Sequence, residues 1–525
     1  MAVESRQFFL PKDIDVAKAF EDFGYPMLPS VEGVRSSRRY YYDSFDWRVY
    51  AANALLVREE ANDVVKLHWQ DRDGNANSVS GECDGEPGFA WNFPPGEVRD
   101  RLESVLEMRR LLPVMQLNTR IHNYQLENRD AKIILRLSIE HITAIDPDSK
   151  SRKRLPQRLH VQMLKGYSKP YRVLLKYLQH TLKLQPCAED LLTQALASYG
   201  RKPGDYSSKP NYQLEANMCT DHAIREVLQH LLKIMEHNEA GVLADIDSEF
   251  LHDFRVACRR SRSIINQVKQ VFPQRVVTRF RKEFAWLSQV SGPTRDLDVY
   301  LLSIPDYQAS LPAAMRPDLE PLRGFLQQQQ KSAHRQLVRA LNSARYRRFK
   351  QSLHRYLASS LPARTTLANA RRPVKAVANE RIWRMFRRTI REGQSIAPNS
   401  PAEELHELRK TCKKLRYLLE CFQSLYPSEK ISRLIKALKG LQNNLGDFQD
   451  LHIQISRLQD FSAQMVRNEQ AGEPTLMAMS MLIESLGQRQ RQARKDFHVQ
   501  FVKFATKKNR RLCRKLFAQQ GKGSA

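Results

Sequence analysis

The sequence predicts an α+β multidomain protein: an N-terminal sheet domain, read as an antiparallel β-barrel, followed by a duplicated all-α helical bundle. Three observations lead there. A long segment recurs: LHDFRVACRRSRSIINQVKQVFP, from Leu251 to Pro273, returns 154 residues later as LHELRKTCKKLRYLLECFQSLYP, from Leu405 to Pro427. The first 200 residues instead carry short alternating or β-branched runs split by turn-rich pieces. Charge divides at the same place, with 28 Lys or Arg against 27 Asp or Glu in residues 1–200 and 57 against 30 in residues 201–525.

In chain order, strands are expected near Leu55, Val64, Arg120, Ala131 and Arg158, and a helix near residues 96 to 112. Arg58, Lys66, Arg120, Lys132 and Arg136 recur at roughly alternate positions, which suits a basic-lined barrel; a solvated sheet face is the plainer alternative. From about Asn211 apolar residues recur at three- and four-residue spacings over long stretches, the period of amphipathic helices. Asn217 and Thr220 offer helix caps, Pro401 suits a first helical turn, and Pro273 and Pro427 are expected to stop equivalent helices. The expected domains are residues 1–200, a first helical repeat over 211–350, a linker over 351–374 and a second repeat over 375–520.

A net charge of +28 over 525 residues favours a polyanionic partner, and nearly all of it falls in the repeated half. Nucleic acid, an anionic membrane and inorganic polyphosphate all qualify. No run of apolar residues is long enough to span a membrane. Seven cysteines show no metal-ligand or paired spacing, so no metal or other cofactor is expected. Their odd number, with an opening that lacks an apolar leader, predicts a reducing cytoplasm.

The repeat preserves polar residues, and these are the candidate site. His252, Arg255, Arg259 and Arg262 recur as His406, Arg409, Lys413 and Arg416. With about 100° per helical residue, Arg255, Arg259 and Arg262 fall about 60°, 20° and 80° from His252, so the four share one stripe. Arg260, Lys410 and Lys414 widen the charged face, and the stripe itself holds no carboxylate. Aligned like charges cost stability unless an anion neutralises them. Neither stripe places a nucleophile or base, so no catalytic residue is assigned. Cys258 and Cys412 read as small buried apolar residues.

LHDFRVACRRSRS and LHELRKTCKKLRYLLE resemble the hallmark helices of the CHAD family, the histidine-containing α-helical domains. The segments from Leu287 and Leu441 fit its following G-x-x-R-D-x-D type motif, complete in Gly292, Arg295, Asp296 and Asp298 and reduced to Gly446 and Asp450 in the second copy. The resemblance runs from about residue 215 to 515. It implies binding of inorganic polyphosphate in a basic channel between two helical bundles, and association with polyphosphate granules. Carried onto this chain, the binding set is His252, Arg255, Arg259, Arg262, His406, Arg409, Lys413 and Arg416, with His222 as the leading histidine, Arg225 after it, and Arg295 either lining the channel or pairing with Asp298. Arg347, Arg348, Arg384, Arg387 and Arg388 would enlarge the channel or form an outward basic face.

Residues 1 to 180 resemble the CYTH family, the triphosphate tunnel fold. VESRQFFLP stands at its opening ExExK strand, and YYYDSFDWRVYAANALLVREE, from Tyr40 to Glu60, stands at the segment that follows. The chemistry departs from that pattern: Val3, Ser5 and Gln7 replace Glu, Glu and Lys, and Val161 and Met163 fill a strand expected to carry paired glutamates, leaving Glu4 as a lone carboxylate. Metal-dependent hydrolysis needs several oxygen ligands. The resemblance therefore implies a degenerate tunnel, with Arg58, Lys66, Arg120 and Arg136 as its residual basic lining. The expected function is non-catalytic polyphosphate binding; the alternatives are RNA binding by the same basic face and an active metal-dependent inorganic triphosphatase. RNA is disfavoured by the lack of an RNP motif, a GXXG loop or an aromatic stacking platform.

Overall fold

Apolar and polar residues alternate through the first half, and that period places successive side chains on opposite faces of a sheet. The computed structural model describes residues 5–518 apart from 12, 13, 15, 24–26, 62, 63, 73–78, 82–84, 129, 188 and 363. Val3 and Glu4 lie outside the described residues. The described chain forms two compact units, Met1–Ser207 and Ser208–Ala525.

The first unit is built on β1 (Ser5–Leu10), α1 (Val16–Asp22), β2 (Met27–Asp43), α2 (Arg48–Ala51), β3 (Ala54–Ala61), β4 (Val64–Asp71), β5 (Val79–Gly81), α3 (Glu97–Leu106), β6 (Leu112–Glu127), β7 (Ile133–Ile145), β8 (Arg152–Arg154), β9 (Gln157–Met163), α4 (Ser168–Lys176) and α5 (Leu191–Ser198). The strands pair antiparallel in the order β1-β9-β7-β6-β2-β3-β4-β5, with β8 beside β7. This corrects the expected barrel. Among the described residues β1 and β5 are the two ends of an open path, so the sheet does not close. The outer edge of β1 is already occupied: Phe9 N–H donates to Gln185, Cys187 N–H donates to Gln7, and Phe8 bridges Pro186. These bonds tie part of that edge to the segment 185–187 rather than to another strand. Phe8, Leu137, Leu159 and Tyr171 anchor one apolar cluster of this unit, and Trp47, Met115, Leu117 and Leu196 another.

In the second unit α6 (Thr220–Leu243), α7 (Ser248–Gln267), α8 (Gln274–Ala309), α9 (Glu320–Leu341) and α10 (Ala344–Ala358) are followed by α11 (Val374–Ser395), α12 (Ala402–Cys421), α13 (Ser428–Arg467), α14 (Glu473–Phe504) and α15 (Lys507–Cys513). The starts of α6, α7 and α8 reappear as those of α11, α12 and α13 at the repeat spacing of 154. Local chemistry sets these boundaries. The Asp247 carboxylate accepts from Glu249 and Phe250 N–H and caps α7. Pro273 and Pro427 do not stop α7 and α12, as the sequence had suggested; those helices end earlier, and each proline sits at the N-cap of the next helix, where a missing N–H costs nothing. Thr220 likewise is the first residue of α6 rather than its cap, and its hydroxyl donates to the Arg372 carbonyl. Helix α10 continues to Ala358, so the non-helical connection to α11 is shorter than the expected linker.

The two copies interlock. Antiparallel hydrogen bonds join the segments entering α6 and α11, Thr220 N–H to Arg372 and Val374 N–H to Met218. Tyr300 and Ile304 of α8, Phe325 of α9, Leu458 and Phe461 of α13 and Leu482 of α14 share one core. Helix α7 packs against α12, which brings the two hallmark helices side by side. No helix among the described residues is long and apolar enough to cross a membrane.

Candidate functional site

Burial of Leu251, Phe254, Cys258 and Ile265 fixes the rotation of α7, and burial of Leu405, Leu408, Cys412 and Leu415 fixes that of α12. With those faces committed to the core, the basic stripes are carried on the flanks. His252, Arg255, Arg259 and Arg260 are half-buried and Arg262 is exposed; His406, Arg409, Lys413, Lys414 and Arg416 are half-buried and Lys410 is exposed. Helix α7 packs against α12, and the positive charge of Arg259 is felt at Lys413.

Most of the guanidinium groups are anchored on one side and open on another. Arg255 Nη1 donates to the Ser288 carbonyl at 3.0 Å and to the Ser291 hydroxyl at 2.7 Å. Arg409 Nη2 donates to Asp450 at 2.8 Å, and Arg416 Nε lies 3.4 Å from Glu420. Arg260 spans the copies, donating to Glu420 at 2.9 Å and to the Ser208 carbonyl. Yet the buried Nε atoms of Arg255, Arg259 and Arg409 and the buried His406 Nδ1 have no hydrogen-bond partner. Buried donors are ordinarily satisfied, and Arg255 Nε and its repeat equivalent Arg409 Nε are left unmet in both copies, as are the Nε atoms of several arginines elsewhere in the fold.

Electrostatics agrees. Burial, with Arg259 and Arg295 alongside, lowers the Arg255 pKa although Asp296 opposes the shift. Burial, followed by the charges of Arg409, Arg259 and Arg416, lowers the Lys413 pKa to about 8. Both shifts mean that the cations repel one another in a partly dry setting, which an anion would relieve.

Arg295 neither stands free nor pairs with Asp298. It donates to the Ser248 carbonyl at 3.0 Å, to His252 Nδ1 at 3.1 Å and, at 3.5 Å, to Glu249. A guanidinium can only donate, so His252 accepts at Nδ1 and its ring proton sits on Nε2. Asp298 is instead tied to Gln330 at 3.0 Å, and burial raises its pKa to about 6. His222 and Arg225 lie apart from the stripes, on a cavity of about 500 Å³ between the start of α6 and the end of α10. Arg225 is buried, donates to Asp221 at 2.6 Å and to the Tyr356 carbonyl, and lies over the Tyr356 ring, so its charge is consumed inside the fold. Arg347, Arg348, Arg384, Arg387 and Arg388 are all exposed, and Arg388 pairs with Glu392. Sequence reasoning missed Glu249, Glu420 and the Arg409 pairing of Asp450; Asp450 carried a signal through its match to Asp296, and Glu420 through its place four residues after Arg416.

The candidate basic lining of the N-terminal domain is divided. Register places Arg58 and Arg120 on one face of the sheet and Lys66 and Arg136 on the other. A cavity of about 1330 Å³ in this unit is lined by Arg38, Arg120, His122, His141 and Arg154 among others, and of the four expected residues only by Arg120. Val161 and Met163 pack into the apolar cluster, whereas Gln7, Arg158, His160 and Gln162 share the opposite face. Register thus puts Ser5 and Gln7 on the face opposite Val161 and Met163, two sets that the resemblance assigns to one lining. On that polar face Arg39 donates to Glu59 at 2.9 Å and buried Arg158 is held by Gln194 at 2.7 Å and by Gln7.

The family model of the CHAD domain matches residues 226–459. Among solved structures, the CHAD domain of the plant Ricinus communis is 23% identical, with 56% of this chain and 94% of that chain covered and a TM-score of 0.47. PptA of Streptomyces chartreusis is 16% identical, over 54% of this chain and 99% of its own, with a TM-score of 0.42. An adenylate cyclase candidate from Bacillus halodurans is 13% identical, over 36% of this chain and 96% of its own, with a TM-score of 0.24. No curated protein matches the chain. The stripes of α7 and α12 and the motif around Gly292 and Gly446 all fall inside the matched stretch, and on that match the helical half of this protein carries a CHAD domain.

Proposed function

We propose that this protein binds inorganic polyphosphate without hydrolysing it, at the basic face where α7 and α12 meet, and that this binding directs it to polyphosphate granules. The observation that carries the reading is the set of buried, unpartnered donors on repeat-equivalent positions, Arg255 and Arg409 Nε with Arg259 Nε beside them. Guanidinium forks suit successive phosphates, because each offers paired N–H groups to phosphate oxygens. A channel between the copies would admit an unbranched chain and exclude bases by size.

Two features of the local chemistry support binding without turnover. Burial pushes the Cys258 thiol up to about 12 and Cys412 higher still, so neither supplies a thiolate at neutral pH. The nearby carboxylates Asp450, Glu249 and Glu420 are engaged by Arg409, Arg295 and Arg260.

The test is a binding titration of the full chain with long-chain polyphosphate, tripolyphosphate, RNA and heparin at several salt concentrations. Long polyphosphate should bind most tightly, with affinity falling steeply as salt rises. Tighter binding of RNA at every salt concentration would replace this reading with RNA binding. Phosphate release from tripolyphosphate with Mg²⁺ or Mn²⁺ should stay at background, and turnover of about 1 per second or more would restore an enzyme.

A further inference from the structure

The sheet domain carries a second concentration of cations, which the helical site does not use. In residues 1–200 basic and acidic side chains are almost balanced, 28 against 27, so a patch of one sign there is a matter of placement rather than a share of a general excess. Strand register supplies the placement. Arg38 on β2, Asn118 on β6, Thr143 on β7 and Arg154 on β8 are successive cross-strand neighbours, a row about 14 Å long at the usual strand spacing. Arg120 stands two residues along β6 from Asn118, on the same face, and directly opposite His141 of β7. All six line the cavity of about 1330 Å³. Its described lining holds one carboxylate, Glu60, which is bonded to Arg58 and lies 4.0 Å from Arg38. Arg38, Arg120, His141 and Arg154 are exposed, and the His122 and His141 rings lie 5.1 Å apart, edge to face. Like charges on neighbouring strands oppose folding. Burial, followed by the charges of His122 and Arg120, lowers the His141 pKa, as crowding among cations does.

We propose that this cavity is a second polyanion seat, in which an extended run of phosphates crosses β2, β6, β7 and β8 between Arg38 and Arg154 with Arg120 at its side. The identity of the anion rests on the polyphosphate reading; the site itself lies outside the helical repeat. Three features choose the occupant. The guanidinium groups are strung along a row instead of gathered at one point, which fits a chain better than a single compact anion, and a concave wall of one sign draws such chains from solution. The described lining contains no Phe, Tyr or Trp, so a nucleic acid would find charge there but no large ring on which to stack its bases. Ser5, Val161 and Met163, at positions where the family resemblance places carboxylates, do not line the cavity, so the seat lies apart from the centre that the resemblance implies.

The experiment titrates the full chain with short-chain polyphosphate by calorimetry, comparing the unaltered protein with Arg120→Glu plus Arg154→Glu and with Arg255→Glu plus Arg259→Glu. The unaltered protein should show two binding events. The sheet variant should lose one of them, weakened about a hundredfold or more because charge-assisted contacts become repulsive, and the helix variant should lose the other. Both altered sheet residues are exposed, so the midpoint of thermal unfolding should hold; should the reversal unfold the domain, Arg120→Gln plus Arg154→Gln should weaken the same event less severely. A single event that the sheet variant keeps and the helix variant loses overturns this inference and leaves the polyphosphate reading intact. A single event that the sheet variant loses and the helix variant keeps supports the seat and overturns the helical reading instead. No event in any of the three overturns both. Single-stranded RNA that displaces polyphosphate from the sheet event at equal concentration of phosphate overturns the occupant proposed.

Discussion

In the first copy Arg255 is held by a carbonyl and a hydroxyl, those of Ser288 and Ser291; in the second its counterpart Arg409 is held by the carboxylate of Asp450. Asp296 stands at the position equivalent to Asp450 and acts on Arg255 only at longer range. The histidines diverge in the opposite sense: His252 accepts from Arg295, whereas Gln449 replaces that arginine in the second copy and His406 keeps a buried Nδ1 without a partner. Duplication has therefore preserved where the cations are but not how much charge each copy offers. At this pair the first copy presents an arginine with no bonded carboxylate, and the second presents one partly cancelled by its own aspartate.

Reversal of charge tests this most severely. Arg255→Glu with Arg259→Glu should cost about a hundredfold or more in polyphosphate affinity, since hydrogen bonds to charged groups contribute about 1.5–3 kcal/mol each. Arg409→Glu with Lys413→Glu should cost less, because Asp450 already offsets Arg409. Affinities of the two double variants, measured at one salt concentration, check the order. A larger loss in the second copy would break the comparison.

What the sequence disclosed of this arrangement is what depends on nearby residues. Helix starts at Thr220 and Val374, Ser248 and Ala402, Gln274 and Ser428 keep the repeat spacing, because caps, prolines and apolar period are all written within a turn or two of each boundary. The grouping of His252, Arg255 and Arg259 on one flank of α7 is equally local. Asp450 beside Arg409, the reach of Arg260 to Glu420, and the burial of Arg225 under Tyr356 depend on which helices pack together, and helical period says nothing about that. The sheet failed for the same reason. Segment 185–187 covers the edge of β1 from far along the chain, and the parity of β9 is settled by pairing with β1 and β7 rather than by its own alternation.

A milder change sharpens the contrast between the copies. Asp450→Asn keeps the size of the side chain and removes the counter-charge, so Arg409 should become as available as Arg255. Polyphosphate should bind about two- to fivefold more tightly, the scale of one exposed ion pair, with a steeper dependence on salt because one more net cation is in play. Asp296→Asn should do less, there being no close pair to release. Equal gains from both would mean that the two aspartates act only through the overall field.

The smallest effect concerns the glycine beside each arginine. At Gly292 a Cβ would lie 3.7 Å from Arg255 Nη1, and at Gly446 one would lie 3.8 Å from Arg409 Nη2, ordinary contacts that need no rearrangement. In the first copy glycine has a structural reason as well, because Pro293 follows and the residue before a proline resists helical backbone when it carries a Cβ. In the second copy Asp447 stands where the proline was, that reason is gone, and the glycine is still there in the middle of α13. An interior helical glycine costs about 1 kcal/mol relative to alanine, so its presence at Gly446 is unexplained by the helix alone. Space beside the guanidinium explains it if a phosphate oxygen approaches Arg409 from that side. Gly446→Ala should accordingly raise the midpoint of thermal unfolding while weakening polyphosphate binding by about twofold, a few tenths of a kcal/mol. A variant that is more stable and binds unchanged would show that the ligand reaches Arg409 from another direction.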